Sequence, residues 1–178
     1  MKQKEAVAMI EAAVPNEIEN NIWADLGCGS GTFTKALSVL LGDGNKIFAV
    51  DNTNQHITSS DRNSAQIEFI KLDFVNDMFP FSMLDGILMA NALHYVKDKP
   101  AFISKIKKHL KPNGQLIIIE YETEQTNPWV PYPIRFDNLR KVLLISGFIQ
   151  VEKIGERESI YRSGGMYALN AVHGSNDS

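Results

Sequence analysis

A chain of 178 residues, 44% hydrophobic and carrying a formal net charge of −3, has room for one well-buried α/β domain and too little for two ordinary ones. The acidic balance without a long basic run argues against a dedicated nucleic-acid surface, and a lone cysteine excludes both a disulfide framework and a cysteine metal cluster. No run approaches the roughly 20 apolar residues of a membrane span, and no basic segment with a long apolar core opens the chain, so the expected setting is the cytoplasm.

Residues 3–14 read as a helix with Ala6, Val7, Ile10 and Val14 on one side and Pro15 just beyond it. Ile22, Trp23 and Ala24 read as the end of a buried parallel strand, the first. Residues 23–34, WADLGCGSGTFT, then pass through Gly27, Gly29 and Gly31 into a helix beginning near Thr32. The free N–H groups and positive dipole end of that helix favour an anionic or strongly polar group over the glycines, a carboxylate as well as a phosphate. Cys28 lies inside the turn, where small size accounts for it better than reactivity. The glycine spacing is G-x-G-x-G with Asp25 two residues ahead, whereas a dinucleotide fingerprint reads G-x-G-x-x-G, which counts against NAD.

Phe33, Ala36, Leu37, Leu40 and Leu41 carry the helix to Gly42 and Gly44, and Ile47 to Val50 form strand two, ending at Asp51. An acid at that tip can accept hydrogen bonds from both ribose hydroxyls of a nucleoside and would repel a 2′-phosphate. A polar, short helix is expected around Gln55 to Asn63. Ile67, Phe69, Ile70 and Leu72 suggest strand three, closing on Asp73 and Phe74. Met83 to Ala90 suggests strand four, with Asp85 at its start and Asn91 at its end.

His94 has the one unperturbed pKa near this expected pocket suited to removing a proton at neutral pH, and it has two readings: a general base, or a ring whose hydrogen bond holds the loop. Pro100 opens a helix bearing Phe102, Ile103, Ile106 and Leu110, which KPNG ends in a tight turn. Lys105, Lys107, Lys108 and Lys111 read as a solvated helix face, with a local nucleic-acid patch as the alternative. Gln115 to Glu120 is strand five. Glu122 to Phe136 combines three prolines with Trp129, Tyr132 and Phe136, and is either a lid over a small organic acceptor, with Arg135 as an anchor for an acidic one, or an ordinary connection covering the core edge. Asp137 is expected to N-cap a helix through Leu139, Val142, Leu143 and Ile145. Phe148 to Ile154 is strand six, Ile160 to Val172 contains the last strand, and His173 to Ser178 is a polar tail expected to be disordered.

Strands alternating with helices and then ending in two consecutive strands is the pattern of a doubly wound sheet with a terminal hairpin. The acid before G-x-G-x-G, the segment ANALHYVKD after strand four, and LKPNG before strand five together resemble the class I S-adenosylmethionine-dependent methyltransferases, in particular their small type 11/12-like domain. The resemblance implies an α/β, Rossmann-like sheet of order 3-2-1-4-5-7-6 with strand seven antiparallel. It implies a single domain over residues 1–172, in which residues 1–15 cover part of the pocket, followed by the tail at 173–178.

It further implies that Asp25, Gly27, Cys28, Gly29, Gly31, Asp51, Asn52, Asp73, Phe74 and Asn91 hold S-adenosyl-L-methionine, with Asp73 taking the adenine amino group and Phe74 the ring. The plainer reading is that Asp73 caps a turn and Phe74 is core. Tyr95, Trp129 and Tyr132 are the acceptor-side candidates, and His94 would serve where the nucleophile keeps its proton. No Pro-Pro pair follows Asn91, which sets DNA adenine methylation aside. The implied reaction is direct displacement onto a small-molecule acceptor, releasing S-adenosyl-L-homocysteine and needing no metal. A non-catalytic S-adenosylmethionine-binding protein or partner subunit is the alternative, and a homodimer is compatible with either.

Overall fold

The computed structural model describes residues 1–15, 19–58, 62–158 and 164–174. In chain order the elements are α1 (Gln3–Ile10), β1 (Ile22–Leu26), α2 (Thr32–Leu41), β2 (Lys46–Asp51), β3 (Gln66–Lys71), β4 (Leu84–Ala90), a 3-10 turn (Leu93–Tyr95), α3 (Lys99–Lys107), β5 (Leu110–Tyr121), α4 (Phe136–Ile145), β6 (Phe148–Arg157) and β7 (Met166–His173). The strands form one seven-stranded sheet in the order β3-β2-β1-β4-β5-β7-β6. The first five pair in parallel, and β7 runs antiparallel to both β5 and β6, as the sequence led us to expect.

The middle of β5 shows why the sheet sits between two helical layers. Leu116, Ile117, Ile118 and Ile119 are each 0% exposed. Leu116 and Ile118 join the core formed with Phe102, Ile103 and Ile106 of α3 and Leu139 and Leu143 of α4. Ile117 and Ile119 join the core formed with Ala6 and Ile10 of α1 and Phe33 and Leu37 of α2. An unbroken apolar run is what a strand covered on both faces requires.

Trp23 on β1 is packed against Gly86 on β4, its register partner, and a Cβ at Gly86 would fall on the indole ring. Gly86→Ala is therefore expected to cost about 1–3 kcal/mol through overpacking, measured by denaturant unfolding. A cost under about 0.5 kcal/mol would show that the indole moves aside without strain.

Several elements differ from expectation. α1 ends at Ile10, and turns carry the chain to Val14. Of the helix expected at 55–63, residues 59–61 lie outside the described residues, and the described remainder is not helical. Its apolar Ile57 instead packs with Cys28 and Ala49. KPNG is not a turn between α3 and β5 but an irregularity within β5, where the register jumps from Leu84↔Leu110 to Gly86↔Gln115 and Asn113 adopts φ 63°. Asp137 is not the N-cap of α4: Arg135 holds that position, and Asp137 lies in the first turn, where its charge complements the helix dipole. The start of the expected last strand, 160–163, and the end of the tail, 175–178, lie outside the described residues.

The lysine face is also not simply solvated. Lys107 Nζ donates to the Ser146 carbonyl at 2.8 Å, Lys111 pairs with Asp85 at 2.8 Å, and Lys105 binds three carbonyls. Lys108 alone of the four is exposed without such a tie among the described contacts.

Candidate functional site

Strand order reverses between β1 and β4, which opens a crevice at the carboxyl ends of the central strands. The glycine turn after β1 forms its floor. Gly27 and Gly31 sit at φ +80° and +81°, conformations that L side chains rarely adopt. The turn is pinned to the end of β2, because the N–H groups of Gly27 and Cys28 both donate to the Val50 carbonyl, at 2.8 and 2.9 Å. Space is short as well: a Cβ at Gly27 would lie 2.5 Å from the Ala92 Cβ, and one at Gly31 would lie 2.8 Å from Ile57 Cγ2. Gly31 is the N-cap of α2 and supplies no capping side chain, so first-turn N–H groups of that helix are left for another partner.

A cavity of about 700 Å³ lies over this turn. Among the predicted residues, Asp25, Gly27, Cys28, Gly29, Asp51, Asn52, Asp73, Phe74, Asn91 and Tyr95 line it, whereas Gly31, His94, Trp129 and Tyr132 do not. Met1, Phe33 and Ala92 line it too: Met1 belongs to the segment expected over the pocket, whereas Phe33 and Ala92 were not among the predicted site residues. The described lining holds three carboxylates and no basic side chain.

Asp25, at the end of β1, is 1% exposed. Its Oδ2 accepts from the Thr34 hydroxyl at 2.6 Å, while Oδ1 is buried without a partner. Burial pushes its carboxyl up to about 7, with the nearby Asp51 charge adding to the rise and the Thr34 hydrogen bond opposing it. The Cys28 thiol is pushed up as well, by burial first and then by Asp25 and Asp51, so it stays protonated and poorly nucleophilic.

Asp51 Oδ2 accepts from the Gly29 N–H at 2.9 Å, and Oδ1 accepts from the Thr53 N–H and hydroxyl at 2.9 and 2.7 Å. Asp73 holds its own turn, accepting from the Val75 and Asn76 N–H groups and from the Asn76 side-chain amide. That amide first, and then the two N–H groups and the Lys105 charge, hold its carboxyl below the usual range. Asn91 takes a left-handed φ of 52°, its N–H donates to the Ile119 carbonyl at 2.8 Å, and its Oδ1 is buried without a partner.

Behind Tyr95 lies a buried pair that spacing alone had not revealed. His94 is 2% exposed and Glu120 1%. The carboxylate accepts from the His94 backbone N–H at 3.0 Å and from ring Nδ1 at 2.9 and 3.1 Å. An ionised carboxylate only accepts, so Nδ1 carries the ring proton in this arrangement. The one sequence signal for Glu120 was an acid closing an otherwise apolar strand.

The 122–136 segment is tied to the same place. The Tyr132 N–H donates to the His94 carbonyl at 3.0 Å, and the buried Lys99 ammonium donates to the carbonyls of Val96 and Tyr132 at 2.8 and 2.6 Å. Arg135 is engaged with Glu122 at 2.8 Å, and Trp129 is 76% exposed, away from the cavity. Among the described residues no helix is long and apolar enough to cross a membrane, and no group of three His, Cys, Asp or Glu is placed to hold a metal ion.

Residues 24–118 match the family model described as a methyltransferase domain. Over 113 residues the chain is 29% identical to the ubiquinone/menaquinone biosynthesis C-methyltransferase UbiE of Hahella chejuensis, a stretch covering 60% of this chain and 45% of that protein. The chain spans about half or less of the length of the curated relatives it matches. Its fold superposes on Haemonchus contortus phosphoethanolamine N-methyltransferase 2 in complex with S-adenosyl-L-methionine, with TM-score 0.72 at 14% identity over 96% of this chain and 52% of that one. It also superposes on a SAM dependent methyltransferase from Aquifex aeolicus, with TM-score 0.66 at 17% identity over 97% of this chain and 99% of that one. At these identities the two structures speak to the fold alone.

Proposed function

This chain belongs to the methyltransferase-domain family matched over residues 24–118, and from that premise we propose that it transfers a methyl group from S-adenosylmethionine to a small-molecule acceptor. The observation that carries the proposal is the pair of buried, unpartnered oxygens, Asp25 Oδ1 and Asn91 Oδ1, on residues lining one cavity at the ends of neighbouring strands. A buried acceptor left without a donor costs about 1–3 kcal/mol, and an ammonium group has donors for both.

Asp51 would meet the ribose with the one of its roughly four lone-pair sites that Gly29 and Thr53 leave free. Asp73 likewise uses three of its roughly four lone-pair sites, all of them on the turn it caps, which supports the capping reading and shifts recognition of the base toward Phe74 and the neighbouring backbone. S-adenosylmethionine brings a methyl group already activated by its positive sulfur. The protein's share is therefore alignment and exclusion of water. Tyr95, which lines the cavity and is 51% exposed, is placed to orient an acceptor. The burial of His94 against Glu120 supports its loop-holding reading over the general-base one. The same proposal takes residues 1–172 as one methyltransferase domain, in keeping with the packing of α1 on α2 and β6.

Parallel calorimetric titrations with S-adenosylmethionine, S-adenosylhomocysteine and NAD test it. Micromolar binding of the first two without NAD is expected, and NAD binding alone would overturn the proposal.

Asp25 makes the binding pH-dependent. Its carboxyl must be ionised to attract an ammonium, so affinity for S-adenosylhomocysteine is expected to rise with pH up to about 7 and level off above it, falling up to about tenfold per pH unit below. The unliganded protein responds oppositely. With the folded-state value raised above the ordinary 3.8, stability from this group is complete below about 4 and is lost as pH rises through about 7. Asp25→Asn should flatten the binding profile, and an unchanged profile in that variant would assign the titration elsewhere.

A further inference from the structure

We propose that Lys105 is a positioning residue for the base-holding side of the cavity: its ammonium gathers the backbone carbonyls of residues 74, 75 and 77 and so sets where Phe74 is presented. Lys105 Nζ donates to the carbonyls of Phe74, Val75 and Asp77 at 3.0, 3.0 and 2.7 Å. An ammonium has three donors and no acceptor, so its capacity is fully used. Three carbonyls from one short loop converge on a single point, an arrangement in which their negative ends would repel one another without a cation between them. The same ammonium stands 4.7 Å from the centroid of the Phe79 ring, a favourable distance for a cation over an aromatic face.

The rest of the loop is held by acids. Asp73 takes the N–H groups of Val75 and Asn76, Asp77 Oδ2 takes the N–H of Asp73 at 2.9 Å, and the Asp77 N–H donates to the Asp73 carbonyl at 2.9 Å. Two carboxylates, one lysine and one backbone–backbone bond thus hold this loop.

Lys105 can act as a fixed point because of the helix that carries it. Phe102, Ile103 and Ile106 of α3 are buried in the core, and the Phe102 ring meets the Phe74 ring edge-on at 5.8 Å. Phe74, Val75 and Asn76 line the cavity, so a shift of this loop moves the wall that would meet a planar base. Burial lowers the lysine's pKa while Asp73 and Asp77 oppose that fall, which places both acids close to the ammonium. The assignment of this wall to the adenine rests on the methyl-donor reading; the clamp itself rests on the three hydrogen bonds.

Lys105→Met keeps the aliphatic stem and removes all three donors. Two measurements on the full chain separate the clamp from the reading beneath it. Without ligand, amide hydrogen exchange at residues 74–77 should quicken in the variant while β5 keeps its protection. With ligand, affinity for S-adenosylhomocysteine should drop about tenfold, the loss expected for about 1.4 kcal/mol, while affinity for S-ribosylhomocysteine, which lacks the base, should hold. Lys105→Arg, which retains charge and donors, should recover most of the lost affinity. Unchanged exchange in the loop would overturn the clamp, and an equal loss for both ligands would overturn its role toward the base. A wild-type protein that binds neither compound would instead remove the methyl-donor reading while the exchange result still judged the clamp. Lys105→Gln serves the same tests should the methionine variant fail to fold.

Discussion

Asp51→Ala is expected to weaken S-adenosylhomocysteine binding by about tenfold to a hundredfold while leaving the chain folded. Two losses combine. The carboxylate lines the cavity with about one lone-pair site free for a ribose hydroxyl, and a hydrogen bond to a charged group contributes about 1.5–3 kcal/mol. Asp51 also fixes the floor beneath the ligand, since its Oδ2 accepts the Gly29 N–H at 2.9 Å and its Oδ1 is braced by Thr53. The ribose bond alone amounts to about one to two powers of ten in affinity. Asp51→Asn should lose less, because an amide oxygen can still accept one of these donors. Thr53→Ala, which removes only the hydroxyl half of the brace, should cost less than about tenfold. Calorimetric titration of the three variants, with thermal melts to confirm folding, checks the order. Binding by the alanine variant within about threefold of wild type would remove ribose recognition by Asp51 from the account.

The sheet and the polar rim of the cavity could be read in the sequence for one physical reason. A strand of the sheet reads as a short apolar run whose end opens on the crevice, so an acid or amide within two residues of that end stands out: Asp25, Asp51, Asp73 and Asn91 all do. What could not be read depends on contacts between distant positions. Glu120 belongs with His94, 26 residues away, and no periodicity connects them. The ammonium groups of Lys105, Lys107 and Lys111 reach partners 26 to 39 residues distant, so a spacing that suggests an exposed face conceals three internal ties. Ile57 lies in a polar stretch that favoured a short helix, yet the clearance over Gly31 draws it inward. The aromatics of the 122–136 segment left a lid and an ordinary connection equally open in the sequence; the ties of Lys99 and the His94 carbonyl to Tyr132, and the exposure of Trp129, are contacts that spacing does not reveal.

Glu120→Ala should be the most destabilising single change in the chain's acceptor-side structure, at about 3–5 kcal/mol, because removing one partner of a buried pair leaves the other unsatisfied. Here the loss is wider than one contact. Glu120 also accepts the His94 backbone N–H at 3.0 Å, so two donors of a single residue would be orphaned together. The His94 ring in turn lies 4.4 Å from the Tyr95 ring and 5.8 Å from the Tyr121 ring, and the His94 carbonyl holds the Tyr132 N–H. Loss of the carboxylate therefore loosens the turn that sets Tyr95 against the cavity. The midpoint of thermal unfolding should fall by about 6–20 °C, and a fall under about 3 °C would show that water or a neighbour replaces the carboxylate at little cost.

Replacing both partners, as His94→Phe with Glu120→Leu, should recover part of that stability, since an apolar pair of similar volume leaves no buried charge. It should not recover all of it, because the His94 backbone N–H stays unpaired and still costs about 1–3 kcal/mol. Turnover then divides the two roles of the histidine. If His94 only holds the turn, the double variant keeps activity in proportion to its folded fraction once an acceptor is in hand. If the ring moves a proton, activity is lost in a variant that remains folded and still binds S-adenosylhomocysteine, and that result would return His94 to the chemistry.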